Sequence, residues 1–205
     1  RQQQEPGYAY FTTQVITYTG AAGFFMPIAV QDGNGNVTET AYDGTWRMFP
    51  LTVTNAKGQS TTYTYNYLLG KVESETGPNP GSTTSYEYDS HGRPSKIIRP
   101  GDSSTNPTIS YTYWDGYVAN PFRSLQITRT EVFTTGSGGL VDVPVVRYYD
   151  GLGRLIEENA GTTNDSEMRV SQIVYNAQGL QAEVYAPYTS TWSLSYVPVN
   201  ASKPK

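Results

Sequence analysis

Polar and apolar residues alternate with a period of two along much of the chain, as they do in a strand with one covered face. In Thr61-Thr62-Tyr63-Thr64-Tyr65 the two tyrosines share a face, with threonine between them. Thr83-Thr84-Ser85-Tyr86-Glu87-Tyr88 reads as a strand entering a turn, and Arg93-Pro94-Ser95-Lys96-Ile97-Ile98 as the strand leaving it. The turn between them, Asp89-Ser90-His91-Gly92, is one of five Asp/Asn-x-x-Gly stretches; the others are Asp32–Gly35, Asn55–Gly58, Asp150–Gly153 and Asn176–Gly179. The Asp or Asn side chain caps a type I turn, and the Gly takes the left-handed conformation of a G1 bulge, so each stretch predicts a hairpin. Residues Thr162–Gln178 contain no Gly or Pro, and Asn164-Asp165-Ser166-Glu167 could cap a short helix. Val170, Ile173, Val174 and Tyr175 favour a strand running into the Asn176 turn. Both readings stay open, with the strand preferred.

A second signal runs through the first. An aromatic followed by Asp or Asn occurs at Tyr42-Asp43, Tyr65-Asn66, Tyr88-Asp89, Trp114-Asp115, Tyr149-Asp150 and Tyr175-Asn176, in steps of 23, 23, 26, 35 and 26 residues. The long step contains Thr134-Thr135-Gly136-Ser137-Gly138-Gly139, a flexible insertion that accounts for the excess. The unit is therefore a strand, a turn, a strand and a linking loop. Since a lone hairpin is marginal in water, the units must pair side by side. The recurrent Tyr is expected to pack its ring on a neighbouring strand while its hydroxyl reaches backbone or water. This divides the chain into an N-terminal strand region of uncertain pairing (1–31), about six hairpin repeats with an enlarged loop near 134–140 (32–187), and a C-terminal strand and tail (188–205).

Composition narrows the picture further. The 205 residues suffice for one or two domains, and 18 Tyr, 20 Gly and 13 Pro disfavour helix. The expected fold is all-β, a series of antiparallel hairpins in a curved or spiralling sheet with little or no helix. Gly20–Val30, the most apolar stretch, is broken by Gly23 and Pro27, so no membrane span is expected. A net charge of −4 lacks the basic footprint of nucleic acid binding. Zero Cys and one His leave no disulfide, no thiolate and no His-based metal cluster. The chain opens on Arg1-Gln2-Gln3-Gln4, without an initiator Met or an apolar signal segment, as expected of an engineered piece, a processed product or part of something longer.

Tyr149-Asp150-Gly151-Leu152-Gly153-Arg154, Tyr86-Glu87-Tyr88-Asp89-Ser90-His91-Gly92-Arg93 and Phe49–Gln59 resemble the Rhs/YD-repeat family, found in bacterial Rhs toxins, in the B and C components of toxin complexes and, more distantly, in teneurins. The resemblance runs from about Asp32 to Pro187. It implies a long β-strip that spirals into a hollow shell, enclosing a toxic domain or serving at the cell surface. About six units are too few to close such a shell, and the family's self-cleaving Asp-Pro-x-Gly-Leu run is missing. The implied role is part of a larger wall, secreted or at the cell surface. Its partners would be the rest of a longer chain or neighbouring protomers through open sheet edges, with a toxin cargo or a surface glycan as further possibilities.

Candidate chemistry is sparse. His91 stands at the third position of its turn and is expected to face solvent. Asp32-Gly33-Asn34-Gly35-Asn36 resembles the start of a calcium loop, but its twelfth position is Asp43 rather than a bidentate Glu, so a turn is favoured. Gly136-Ser137-Gly138-Gly139 lacks the Lys-Ser/Thr of a phosphate loop. Glu157 and Glu158, neighbours on a strand, face opposite sides and cannot cooperate. Arg93 and Arg154 follow their turn glycines and read as structural arginines bonding an adjacent unit rather than as a ligand-facing row. Trp46, Trp114 and Trp192 could stack on sugar rings, although core packing is favoured. Sequons stand at Asn36, Asn164 and Asn200 and matter only along a eukaryotic secretory route. The expectation is a non-catalytic structural segment without cofactor or metal. An extracellular adhesion or carbohydrate-binding module is the alternative.

Overall fold

The computed structural model describes residues 14–20, 25–116, 118–119, 122–123, 125–134, 140–162, 166–197, 199, 202–203 and 205. The N-terminal 1–13, the Gly-Ser insertion at 135–139 and the sequons at Asn164 and Asn200 lie outside them. The described residues are all-β, with antiparallel strands and no helix. The chain divides into two compact units, one of residues 1–87 with 99–101, the other of residues 88–98 with 102–205.

The first unit is a meander of β1 (Gln14–Tyr18), β2 (Pro27–Asp32), β3 (Val37–Tyr42), β4 (Pro50–Thr54), β5 (Ser60–Asn66), β6 (Lys71–Thr76) and β7 (Thr83–Tyr88). Each strand pairs antiparallel with the one before it. Two of these strands, β2 and β4, begin on Pro, where the missing N–H costs the ladder least. Among the described residues of this unit only Asp43 is buried. Its strands are joined by hydroxyl pairs directly opposite one another: Thr54 with Ser60 at 2.9 Å, Thr64 with Ser74 at 2.7 Å, and Thr76 with Thr83 at 2.9 Å. Such cross-strand pairs take the place of a core.

The second unit contains β8 (Pro94–Ile98), β9 (Ile109–Trp114), β12 (Leu125–Thr134), β13 (Leu140–Tyr149), β14 (Leu155–Gly161), β15 (Glu167–Tyr175) and β16 (Gln181–Thr191), hydrogen-bonded in that order. A two-stranded ribbon, β10 (Val118–Ala119) with β11 (Phe122–Arg123), fills the connection between β9 and β12. Residues 167–175 form a strand and not a helix, because ladders with β14 and β16 satisfy them on both sides. Registers align two rows across four strands, Tyr148–Glu157–Gln172–Tyr185 and Val146–Asn159–Val170–Tyr188. All of these except Tyr188 are buried, and Met168 joins them. Pro187 sits at a bulge of β16, the terminal strand, and blunts that edge.

After β16 the chain turns back over this face. The Trp192 amide donates to the Ser166 carbonyl at 2.9 Å, and the Tyr148 hydroxyl donates to the Leu194 carbonyl. Residues 192–197 thus cover the two rows.

Candidate functional site

The features that recur are the turns, and they are alike to the atom. In all five Asp/Asn-x-x-Gly stretches the Gly amide donates to the Asp or Asn carbonyl, at 2.9–3.0 Å. The amide of the Asp or Asn closes the loop on the carbonyl four residues on, at 2.8–3.0 Å. One side-chain oxygen then accepts two further amides: Asp89 Oδ1 from His91 and Arg93, Asp150 Oδ1 from Leu152 and Arg154. Asn176 does the same with Gln178 and Leu180. The glycines lie at φ between +74° and +85°, where a side chain would be strained.

Of these turns, Asp89, Asp150 and Asn176 follow the repeat aromatic, whereas Asp32 and Asn55 do not. A sequential meander places alternate turns at opposite ends of its sheet, so in the first unit Asp32 and Asn55 stand opposite Asp43 and Asn66. Asp43 makes a longer version of the same closure. Its amide donates to the Phe49 carbonyl at 2.9 Å, and its Oδ1 accepts the Met48 and Phe49 amides at 3.0 Å. Asn66 accepts the Leu69 amide at 3.0 Å. His91 is exposed in its turn.

A tyrosine clasp locks the repeat at the aromatic end. The Tyr42 hydroxyl donates to the Pro27 carbonyl at 3.0 Å, Tyr65 to Pro50 at 2.9 Å, Tyr113 to Pro94 at 2.9 Å and Tyr175 to Leu155 at 3.1 Å. In each case a ring at the end of one strand ties down the first residue of the strand before it. Burial pushes the Tyr42, Tyr65 and Tyr113 hydroxyls above their ordinary pKa, so they remain donors. In the fourth repeat the clasp uses Tyr113 and not Trp114, which is 44% exposed on the opposite face. The sequence period assigned this position to Trp114; strand parity gives the clasp to Tyr113 instead. Tyr88 and Tyr149 are half-buried at the ends of β7 and β13.

The residue preceding the clasped carbonyl covers the ring. Arg93 Cζ stands 4.1 Å from the Tyr113 centroid and Arg154 Cζ 4.2 Å from that of Tyr175. Arg93 Nε also bonds Asp89 at 2.7 Å and its Nη1 bonds Asp115 at 2.7 Å, while Arg154 Nε bonds Asp150 at 2.8 Å. Hydrogen bonds to Asp115 and then Asp89 raise the Arg93 pKa. Burial acts to raise the pKa of Asp89 and Asp150, but their arginines and the turn amides outweigh it and hold both below the usual carboxylate value. Both arginines are thus committed within the turn ends. In the first unit Phe49 takes this position, 4.9 Å from the Tyr65 ring and 5.2 Å from Tyr67. Sequence spacing hid that equivalence, because the Asp43 turn is two residues longer.

Other candidates resolve one by one. Asp32 spends its oxygens on the Asn34 amide and on the Asn36 amide and side chain. No group of three metal-ligating side chains occurs among the described residues. Glu158 faces Arg147, its Oε2 2.6 Å from Nε, whereas Glu157 on the other face is fully buried. Sequence gave no hint of that burial. Glu157 accepts from Asn159 Nδ2 at 2.9 Å, from Gln172 Nε2 at 2.8 Å and from the Val197 amide at 2.8 Å. The Tyr196 ring meets Tyr148 edge-on at 5.8 Å, and burial followed by nearby Glu157 pushes its hydroxyl up to about 12. Trp46 is 55% exposed; Trp192 is half-buried. An open pocket of about 560 Å³ bordered by Lys96, Ser104, Thr130 and Asp142 contains a single acid, too few for paired carboxylate chemistry.

No family model matches the sequence, and no curated protein matches it. Among solved structures, the chain is similar to a chain of a mutant Photorhabdus luminescens Tc holotoxin pore, with 13% identity and a TM-score of 0.30. The match covers 97% of this chain and 14% of that one.

Proposed function

We propose that this chain is a non-catalytic structural segment of a β-shell or scaffold of the Rhs/YD-repeat kind, part of a secreted or surface protein for toxin delivery or encapsulation. The observation that carries the reading is the recurrence of one closed turn and one tyrosine clasp from hairpin to hairpin. The Asp89 and Asp150 turns spend Asp, Gly and Arg, and four repeats spend a Tyr, on holding register, which is the work of a wall. A ligand site would instead concentrate unlike polar groups at one place. The clasps also act across strands, so each hairpin stiffens its neighbour.

Cryo-electron microscopy of the natural polypeptide carrying residues 1–205 tests this. The expected result is that these strands continue on either side into a wall around an internal space. A separate, freely tethered domain would overturn it. A second reading, carbohydrate recognition, draws on the contacts among Phe49, Tyr65 and Tyr67, with Tyr67 48% exposed. Glycan-array binding abolished by Tyr67→Ala would favour it over the wall.

A further inference from the structure

The second unit carries a polar group arrangement that the repeat does not require. Glu157 and Gln172 are direct cross-strand partners in the middle of a sheet face, and both are fully buried. Side chains with hydrogen-bonding needs are costly there unless every atom is met. Gln172 Nε2 bonds Glu157 Oε2 at 2.8 Å, and Gln172 Oε1 accepts from the Tyr188 hydroxyl at 3.1 Å. One acceptor, Glu157 Oε1, and one donor, Gln172 Nε2, are thereby presented away from the sheet.

Both meet a single residue of the C-terminal segment, although Glu157 Oε1 also accepts from Asn159 Nδ2 at 2.9 Å. The Val197 amide donates to Glu157 Oε1 at 2.8 Å, and the Val197 carbonyl accepts from Gln172 Nε2 at 2.6 Å. This is the donor–acceptor pair that a neighbouring strand would offer, made from side chains and turned through the sheet face. It reads backbone and not sequence. The preceding ring, Tyr196, packs edge-on to Tyr148 and supplies the apolar anchor. Asn159 Oδ1, fully buried beside Glu157, stays without a hydrogen-bond partner among the described residues while residues 193–197 are seated. A buried acceptor left open in a native site is costly.

We infer that the Glu157–Gln172 pair is a receptor for a peptide segment with an aromatic residue followed by a residue bearing a free N–H. In this structure the chain's own residues 193–197 occupy it in cis. The same site takes a segment of that chemistry in trans when the cis segment is released. This goes beyond the structural role proposed above and does not rest on it.

The test uses the full chain and a fluorescein-labelled peptide, Ser-Leu-Ser-Tyr-Val-Pro-Val, corresponding to Ser193–Val199. Val197→Pro removes the N–H that Glu157 accepts and weakens the cis segment while leaving the receptor side chains intact. Fluorescence polarisation is expected to show binding to this variant at least about tenfold tighter than to the wild type, whose tethered segment competes at high effective concentration. A peptide N-methylated at its first valine should not bind. Absence of binding to the folded variant, or equal binding of the methylated peptide, overturns the inference. Should Val197→Pro fail to fold, amide exchange of the wild type decides. The Val197 amide is then expected to exchange faster when plain peptide is in excess and unchanged when methylated peptide is. Any other pattern overturns the inference.

Discussion

The two units use the same turns and the same tyrosine clasps, yet they bury very different interiors. In the first, the side chains of β1 to β7 stay at least partly exposed, and hydroxyl pairs such as Thr64–Ser74 span the strands. In the second, Ile109, Val146, Tyr148, Met168, Val170 and Tyr185 are all buried. The strands do not explain the contrast, because alternation is as clear in β5 as in β15. For β13–β15 the cover does: residues 192–197 lie across them and bond Tyr148, Glu157 and Gln172. Turn chemistry sets register, and a core appears where a segment returns over a face. An antiparallel sheet tolerates water on an uncovered side.

The largest expected effect breaks this contrast directly. Tyr148→Ala removes a fully buried ring and its bond to the covering segment, and should cost about 3–5 kcal/mol in urea unfolding. Tyr65→Ala, a clasp in the uncovered unit, should cost about half as much or less. Equal costs would show that the cover adds nothing. A middle-sized effect tests what the units share. Gly58 and Gly153 both lie at φ +74° with open space where a Cβ would stand. Valine at either position should therefore cost a similar amount, about 1–2 kcal/mol, from backbone strain alone. A melting temperature that moves in only one of the two variants would mean the turns are not equivalent.

The smallest effect is acid sensitivity. Asp32, Asp43, Asp89 and Asp150 all have folded pKa values held below the ordinary one. Their contribution is therefore present above the unfolded value of about 3.9 and lost as pH falls through the lower folded values. Asn55 and Asn176 make the same turn without a charge. Asp89→Asn with Asp150→Asn should accordingly keep the turns and lose the arginine bonds, flattening the melting temperature as pH falls below about 4. An unchanged acid limb would place the sensitivity elsewhere.

Much of the fold was legible because its signals are local. Asp-x-x-Gly encodes a turn through a side-chain oxygen that accepts amides two and four residues on, and the Tyr-Asp period marks where strands end. Residues 162–178 were ambiguous because strand and helix capping signals overlapped, and pairing with β14 and β16 settled the strand. The clasp was only half legible. A packing tyrosine was expected, but its partner carbonyl lies 15 to 20 residues away, and choosing Tyr113 over Trp114 required the strand's parity.

Sequence alone determined the five turns and most of the strands, since each depends on residues within one hairpin. Only the tertiary structure decided which face became an interior. Glu157 and Glu158 look interchangeable in the chain, yet one pairs with Arg147 at the surface and the other holds the backbone of Val197 in a dry row. The difference arises from a contact 40 residues away, and burial at that range is a property of the folded sheet and not of any local pattern.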